Sequence, residues 1–181
     1  MAYYYSPFRK AYGKQPDEKR SCVFCESSIR QQAVFDLEGK AVENEYYWWL
    51  VNFYPRFEGH TMLVPKKHRT AFSEESPQEL IARQQLLVYA VDILSRLYEN
   101  SGLEVFLQTG SGSEATIRHL HWHLVPAHAH DSLRSFEKLG HFTTTEEGKE
   151  KIILFPIEIR FAKEELQKAL APIVTENPYR V

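Results

Sequence analysis

No stretch of this chain approaches the ~18 consecutive apolar residues that a membrane-spanning helix requires. The first residues, Met1-Ala2-Tyr3-Tyr4-Tyr5-Ser6-Pro7, lack a basic segment followed by an apolar one, so they do not read as a secretion signal. The cytoplasm is the expected location. Charge of one sign is missing too: 22 Lys and Arg against 24 Asp and Glu leave a net charge of −2. That balance supplies no basic field for a nucleic-acid backbone. Local cations and backbone N–H groups can still hold a small phosphate. Cysteine is scarce, two in 181 residues, and two cysteines make no disulfide framework. They stand together as Cys22-Val23-Phe24-Cys25, a spacing that suits a metal clip or a redox pair. A redox pair would want a thioredoxin-like βαβ setting, which the surrounding pattern lacks. Half of a zinc site would need two further ligands.

What the chain has is a soluble composition, 43% hydrophobic and 25% charged, with an aromatic share of 13%. Its length suits a single domain with a sizeable core. A hairpin is expected from Gln31–Leu37, a turn at Glu38-Gly39, and a strand from about Val42 to Phe53. Tyr54–Gly59 reads as a connection and Thr61–Val64 as a short strand stopped by Pro65. These connections are too short for crossovers, so the strands should be antiparallel. Residues 77–99 form the clearest helix, with Ser76 as cap, Pro77 in the first turn and Glu79 completing a capping box. Leu80, Ile81, Leu87, Val88, Val91, Leu94 and Tyr98 follow the helical period as its core face. Leu103–Thr109 and Thr116–Val125 read as strands around a small-residue loop. Further on, Glu146–Lys151 is expected to be helical, Ile152–Phe161 strand-like, and Ala162–Leu170 an amphipathic helix. The sum is an α+β domain, an antiparallel sheet with helices mainly on one face and a C-terminal strand–helix extension.

The chemistry concentrates in His119-Leu120-His121-Trp122-His123. Alternation in an extended strand puts the three histidines on one face and Leu120, Trp122 and Leu124 on the other. Isolated histidines are ordinarily satisfied polar side chains; three in register call for another account. Two remain open at this point, a three-imidazole metal site and phosphate chemistry. The preceding loop, Gln108 to Thr116, combines glycines, hydroxyls and an amide, a composition that lets N–H groups approach an anion.

At these residues the chain resembles the histidine-triad (HIT) nucleotide hydrolases and transferases, whose signature is His-φ-His-φ-His-φ-φ. The likeness runs over roughly residues 22–126. It includes Leu50-Val51-Asn52-Phe53-Tyr54-Pro55 and Gly59-His60-Thr61-Met62-Leu63-Val64-Pro65-Lys66-Lys67-His68. Tyr5-Ser6-Pro7-Phe8-Arg9-Lys10-Ala11-Tyr12 is similar to the arm of diadenosine polyphosphate phosphorylases in the same superfamily.

The resemblance implies a HIT-like core over about 22–130, flanked by an arm (1–21) and an extension (131–181). It implies His121 as a nucleophile attacking an α-phosphorus, with a backbone carbonyl fixing its tautomer. It implies His123 on the phosphoryl oxygens or leaving group, Gln108 and Thr116 on phosphate, and Asn52 on ribose. In zinc-bearing members the second pair of metal ligands corresponds to His68 and His119. The resemblance thus implies one structural zinc held by Cys22, Cys25, His68 and His119. The implied reaction is cleavage of a phosphoanhydride or a phosphoramidate at the α-phosphate, foremost in a dinucleoside polyphosphate; the alternatives are a phosphorylase that transfers the nucleotidyl group to inorganic phosphate and, given Glu114-Ala115, a low-turnover nucleotide-binding sensor. A homodimer is also implied. Two positions differ from the family pattern: Glu114-Ala115 stands where Gly-Gln is usual, and Ala127-His128 where many members have Arg.

Overall fold

The computed structural model describes residues 4–5, 22–99, 102–110, 113, 115–128, 131, 152–153 and 156–177. Arg9, Lys10, Glu114 and the helix expected at Glu146–Lys151 lie outside them.

Four strands form the central antiparallel sheet: β2 (Tyr47–Val51), β3 (Thr61–Pro65), β4 (Gly102–Leu107) and β5 (Trp122–Ala127), in the order β2-β3-β5-β4. A separate parallel pair joins β1 (Tyr4–Tyr5) to β6 (Ile152–Ile153). Helix α1 spans Pro77–Leu97 and α2 spans Pro156–Glu176. The antiparallel α+β architecture therefore matches the expectation.

Period-two alternation divides the strands between two cores. Trp49, Val51, Leu63, Trp122 and Leu124 face both helices, against Leu86, Ala90, Ile93 and Leu94 of α1 and Leu166, Leu170 and Val174 of α2. Leu50, Met62 and Val64 face the other way and pack with Phe24, Ile29 and Ala33. Met62 is in register with His123 and Leu50 with Met62, so this second face carries a continuous row leading to the histidines.

Several elements depart from the sequence reading. Gln31–Leu37 is no strand: a 3₁₀ helix covers Ser27–Gln32, followed by isolated bridges from Ala33 to Leu50 and from Phe35 to Ala41. Thr116–Val125 is not strand throughout, because β5 starts only at Trp122 and the chain before it is held by side-chain and loop contacts. It then runs through Pro126 to Ala127; β3 pairs no further than Leu124, so Pro126 is flanked on one side only. The buried face of α1 is Ala82, Leu86, Ala90, Ile93 and Leu94, whereas Ile81 and Val88 are exposed. Apolar residues occur on both sides of this helix, and the period alone selects neither. Finally, α2 begins at Pro156 where a strand was expected; the alternation Ile157, Ile159, Phe161 imitates one.

The cap of α1 forms as expected. Ser76 Oγ accepts the Glu79 N–H, and Glu79 Oε2 accepts the Ser76 N–H at 2.7 Å. Glu79 also pairs with Arg69 at 2.9 Å. Although burial opposes it, these bonds from Ser76 and Arg69 hold the Glu79 carboxyl below its usual range. A depressed folded-state pKa contributes stability above the unfolded carboxylate value, and that contribution is lost as pH falls through the folded one. Glu79→Gln is therefore expected to cost about 1–3 kcal/mol at neutral pH, with the difference shrinking below about pH 4. Urea denaturation at both pH values measures this; an equal difference at each would contradict it.

Candidate active site

The segment leading into β5 is fixed by backbone groups of known polarity. The Leu120 N–H donates to the Arg69 carbonyl at 2.6 Å. The chain is thereby tied to the loop that Glu79 braces against α1. His119 Nε2 lies 2.9 Å from the Pro65 carbonyl, and His121 Nδ1 lies 2.7 Å from the His119 carbonyl. A carbonyl only accepts, so each of these nitrogens carries the proton. The lone pairs then belong to His119 Nδ1 and His121 Nε2.

His123 is fixed through an intermediary. The Arg56 backbone N–H donates to His60 Nδ1 at 3.1 Å, so His60 holds its proton on Nε2. That Nε2–H lies 2.9 Å from His123 Nδ1, which accepts it and leaves the His123 proton on Nε2. The His121 and His123 rings meet edge-on at 4.8 Å. The site thus presents a lone pair on His121 beside a hydrogen-bond donor on His123. The sequence reading gave His60 no role. Its signal was parity with Met62, which puts it on the histidine face, just after Gly59. Gly59 has φ +73°, and a Cβ there would lie 2.6 Å from the Tyr98 ring and 2.7 Å from Pro126. The turn that delivers His60 therefore needs glycine.

A cleft of about 150 Å³ opens over this pair, lined by Phe24, Asn52, Phe53, Thr116, His121 and His123 among others. Phe24 packs on His121 with ring centroids 5.1 Å apart. Asn52 is buried; its Oδ1 accepts the Tyr54 N–H at 2.8 Å, and Nδ2 lies 3.1 Å from both Met62 Sδ and His60 Nε2, donating to the sulfur because the His60 nitrogen carries its own proton. Thr116 stands exposed at the lip. Gln108 is half-buried and does not line the cleft, although it follows Leu107, the residue paired with Trp122 in β5. A larger hollow of about 760 Å³ lies between α1, α2 and the loop before β3, and contains none of His119, His121 and His123.

On the opposite side of His119, four side chains converge. Cys22 Sγ lies 3.3 Å from His119 Nδ1, Cys25 Sγ 3.3 Å from His68 Nδ1, and Cys25 Sγ 3.6 Å from His119 Nδ1. All four ligand atoms fall within 4.8 Å of one another. A tetrahedral zinc ion with bonds of about 2.0 Å to nitrogen and 2.3 Å to sulfur separates neighbouring ligand atoms by about 3.3–3.8 Å. The group therefore fits a metal ion. Burial pulls His119 down to about 4, keeping it neutral with Nδ1 available. Burial also pushes the Cys22 thiol up to about 11, a proton that a metal would displace. His119 thus points to the cysteines and His121 and His123 line the cleft, so the three imidazoles do not form one metal site.

The sequence signature of the HIT domain matches residues 38–130, half of the chain. The chain belongs to the HIT family. An uncharacterised HIT-like protein of Mycoplasma genitalium is 32% identical over 106 residues, covering 59% of this chain and 72% of that one. The adenosine 5'-monophosphoramidase of Saccharomyces cerevisiae is 27% identical over 109 residues, 59% of this chain and 62% of that one. The HIT family thus includes enzymes. A zinc-bound HIT protein of Mycobacterium smegmatis shares the fold, with TM-score 0.51 and 22% identity over 83% of this chain and 94% of that one. Cys22, Cys25 and all of α2 lie outside the matched HIT domain. Among the described residues, no helix is long and apolar enough to cross a membrane.

Proposed function

We propose that this HIT protein is a nucleotide hydrolase or transferase acting at an α-phosphate through a covalent nucleotidyl-His121. The observation that carries this reading is the 2.7 Å bond from His121 Nδ1 to the His119 carbonyl, which leaves Nε2 as a lone pair in the cleft. A neutral imidazole is an effective nucleophile near neutral pH. Nε2 attacks phosphorus, a P–Nε2 bond forms, and the bond to the leaving group breaks. A phosphate leaving group departs as an anion, as from a dinucleoside polyphosphate. An amine leaving group takes a proton, and His123 Nε2–H is the donor beside it. Water or inorganic phosphate then attacks the intermediate, the P–Nε2 bond breaks, and the nucleoside monophosphate or diphosphate is released. Asn52 is assigned to the ribose and Thr116 to the phosphoryl oxygens, with Gln108 reaching the same oxygens only after a shift toward the cleft. The yeast phosphoramidase supports the enzymatic reading.

We further assign a structural zinc ion to Cys22, Cys25, His68 and His119, in keeping with the zinc-bound relative. Four protein ligands would close its coordination, so it would crosslink the chain without taking substrate. The metal ligand His119 is also the residue whose carbonyl orients His121, which ties the two sites through one backbone.

His121→Ala is expected to lower turnover of diadenosine polyphosphates by at least about 10³-fold while retaining nucleotide binding; unchanged turnover would sink the mechanism. With diadenosine tetraphosphate as substrate, AMP and ATP as products mark hydrolysis, whereas ADP and ATP formed in the presence of phosphate mark phosphorolysis. Metal analysis should return about one zinc per chain. Cys22→Ser should lose it, with a thermal midpoint lower by about 2–4 °C for each kcal/mol forfeited. Zinc kept in Cys22→Ser but lost in His123→Ala would contradict the assignment.

A further inference from the structure

Helix α2 lies outside the matched HIT domain yet is built into the fold. Leu166, Leu170 and Val174 enter the core, Gln167 Nε2 donates to the Phe35 carbonyl at 3.2 Å, and Thr175 Oγ1 accepts the Leu37 N–H at 2.9 Å. Its cations divide into two kinds. Arg160 pairs with Glu164 at 3.4 Å and Lys168 with Glu165 at 2.9 Å, all exposed along the helix. Lys163 turns inward instead. Its Nζ lies 5.4 Å from the centroid of the Phe53 ring, and among the described residues no carboxylate stands within ion-pair distance of it. It is half-buried, and burial lowers its pKa.

Phe53 and Lys163 border different spaces. The Phe53 ring lines the histidine cleft together with Phe24, whose centroid is 6.3 Å away. Lys163 lines the larger hollow, which Phe53 does not border, and does not line the cleft. A cation over one face of an aromatic ring is attracted to its π electrons and draws them toward itself. A ring polarised in this way becomes the better partner for an electron-rich purine stacked on it. An ammonium that gives up water to rest on the ring also fixes that ring, and Glu164 beside it acts on it only from outside ion-pair distance.

We propose that Lys163 is a positioning residue for nucleobase binding, holding and polarising Phe53 as one wall of a purine subsite. The inference rests on the nucleotide-cleaving reading of the same cleft, and adds to it that a helix beyond the HIT domain sets base affinity.

The test is calorimetric titration of the full chain with AMP and with adenosine, alongside turnover of diadenosine tetraphosphate. Lys163→Met is expected to weaken AMP binding by about threefold to tenfold, and adenosine binding by the same factor, because the effect acts on the base. KM should rise in parallel while kcat stays within about twofold. Lys163→Arg should restore affinity, and Lys168→Met, on the same helix but paired at the surface, should leave it unchanged. In a Phe53→Leu background the further change Lys163→Met should have little effect. Unaltered AMP affinity in Lys163→Met, a loss confined to AMP and absent with adenosine, or a loss that persists undiminished without Phe53 would each overturn the proposal. A native chain that binds neither AMP nor adenosine would overturn the function reading along with it.

Discussion

The hydrogen bond from His121 Nδ1–H to the carbonyl of His119 closes within a single two-residue stretch. An imidazole free to choose its tautomer would expose a lone pair at Nε2 only part of the time, and a protonated one not at all. The carbonyl removes that choice, provided the peptide carrying it cannot rotate. Much of the surrounding structure prevents that rotation. The Leu120 N–H at the other end of the same peptide is bound to Arg69, Arg69 is bound to Glu79, and Glu79 caps α1. The His119 ring is bound to Pro65 at the end of β3 and faces Cys22 and Cys25. A helix cap, a strand end and a candidate metal site therefore converge on one peptide group.

His123 is oriented by different means toward the opposite state. Its proton sits on Nε2 because His60 donates to Nδ1, and His60 donates because the Arg56 N–H occupies its other nitrogen. Two histidines, one just before β5 and one within it, thus face the cleft as lone pair and donor, and backbone groups decide both. In the proposed reaction, a negative charge developing on phosphorus-bound oxygens would meet a preoriented N–H.

Much of this was legible in the residues themselves. Cys22, Cys25, His68 and His119 were recognisable as one ligand set through the family resemblance, and the structure brings all four ligand atoms together. Ser76, Pro77 and Glu79 announced the start of α1 because capping is local chemistry. What stayed hidden depends on contacts distant in sequence. His60 reads as an ordinary residue until the fold brings it to His123, 63 positions away. The buried side of α1 was misread because Ile81 and Val88 are as apolar as Leu86 and Leu94. The first residues of α2 alternate like a strand in sequence, whereas the helix is anchored to the domain farther along, through Leu166, Leu170 and Val174. Lys163 belongs to the same class: nothing in its neighbourhood marks it apart from Lys168 before Phe53 is placed beneath it.

The tautomers of the two cleft histidines are directly observable. Long-range proton–nitrogen correlation spectra, recorded at alkaline pH where imidazoles are neutral, should show His121 protonated at Nδ1 and bare at Nε2, and His123 with the reverse pattern. His121 found protonated at Nε2 and bare at Nδ1 would contradict the account at its centre.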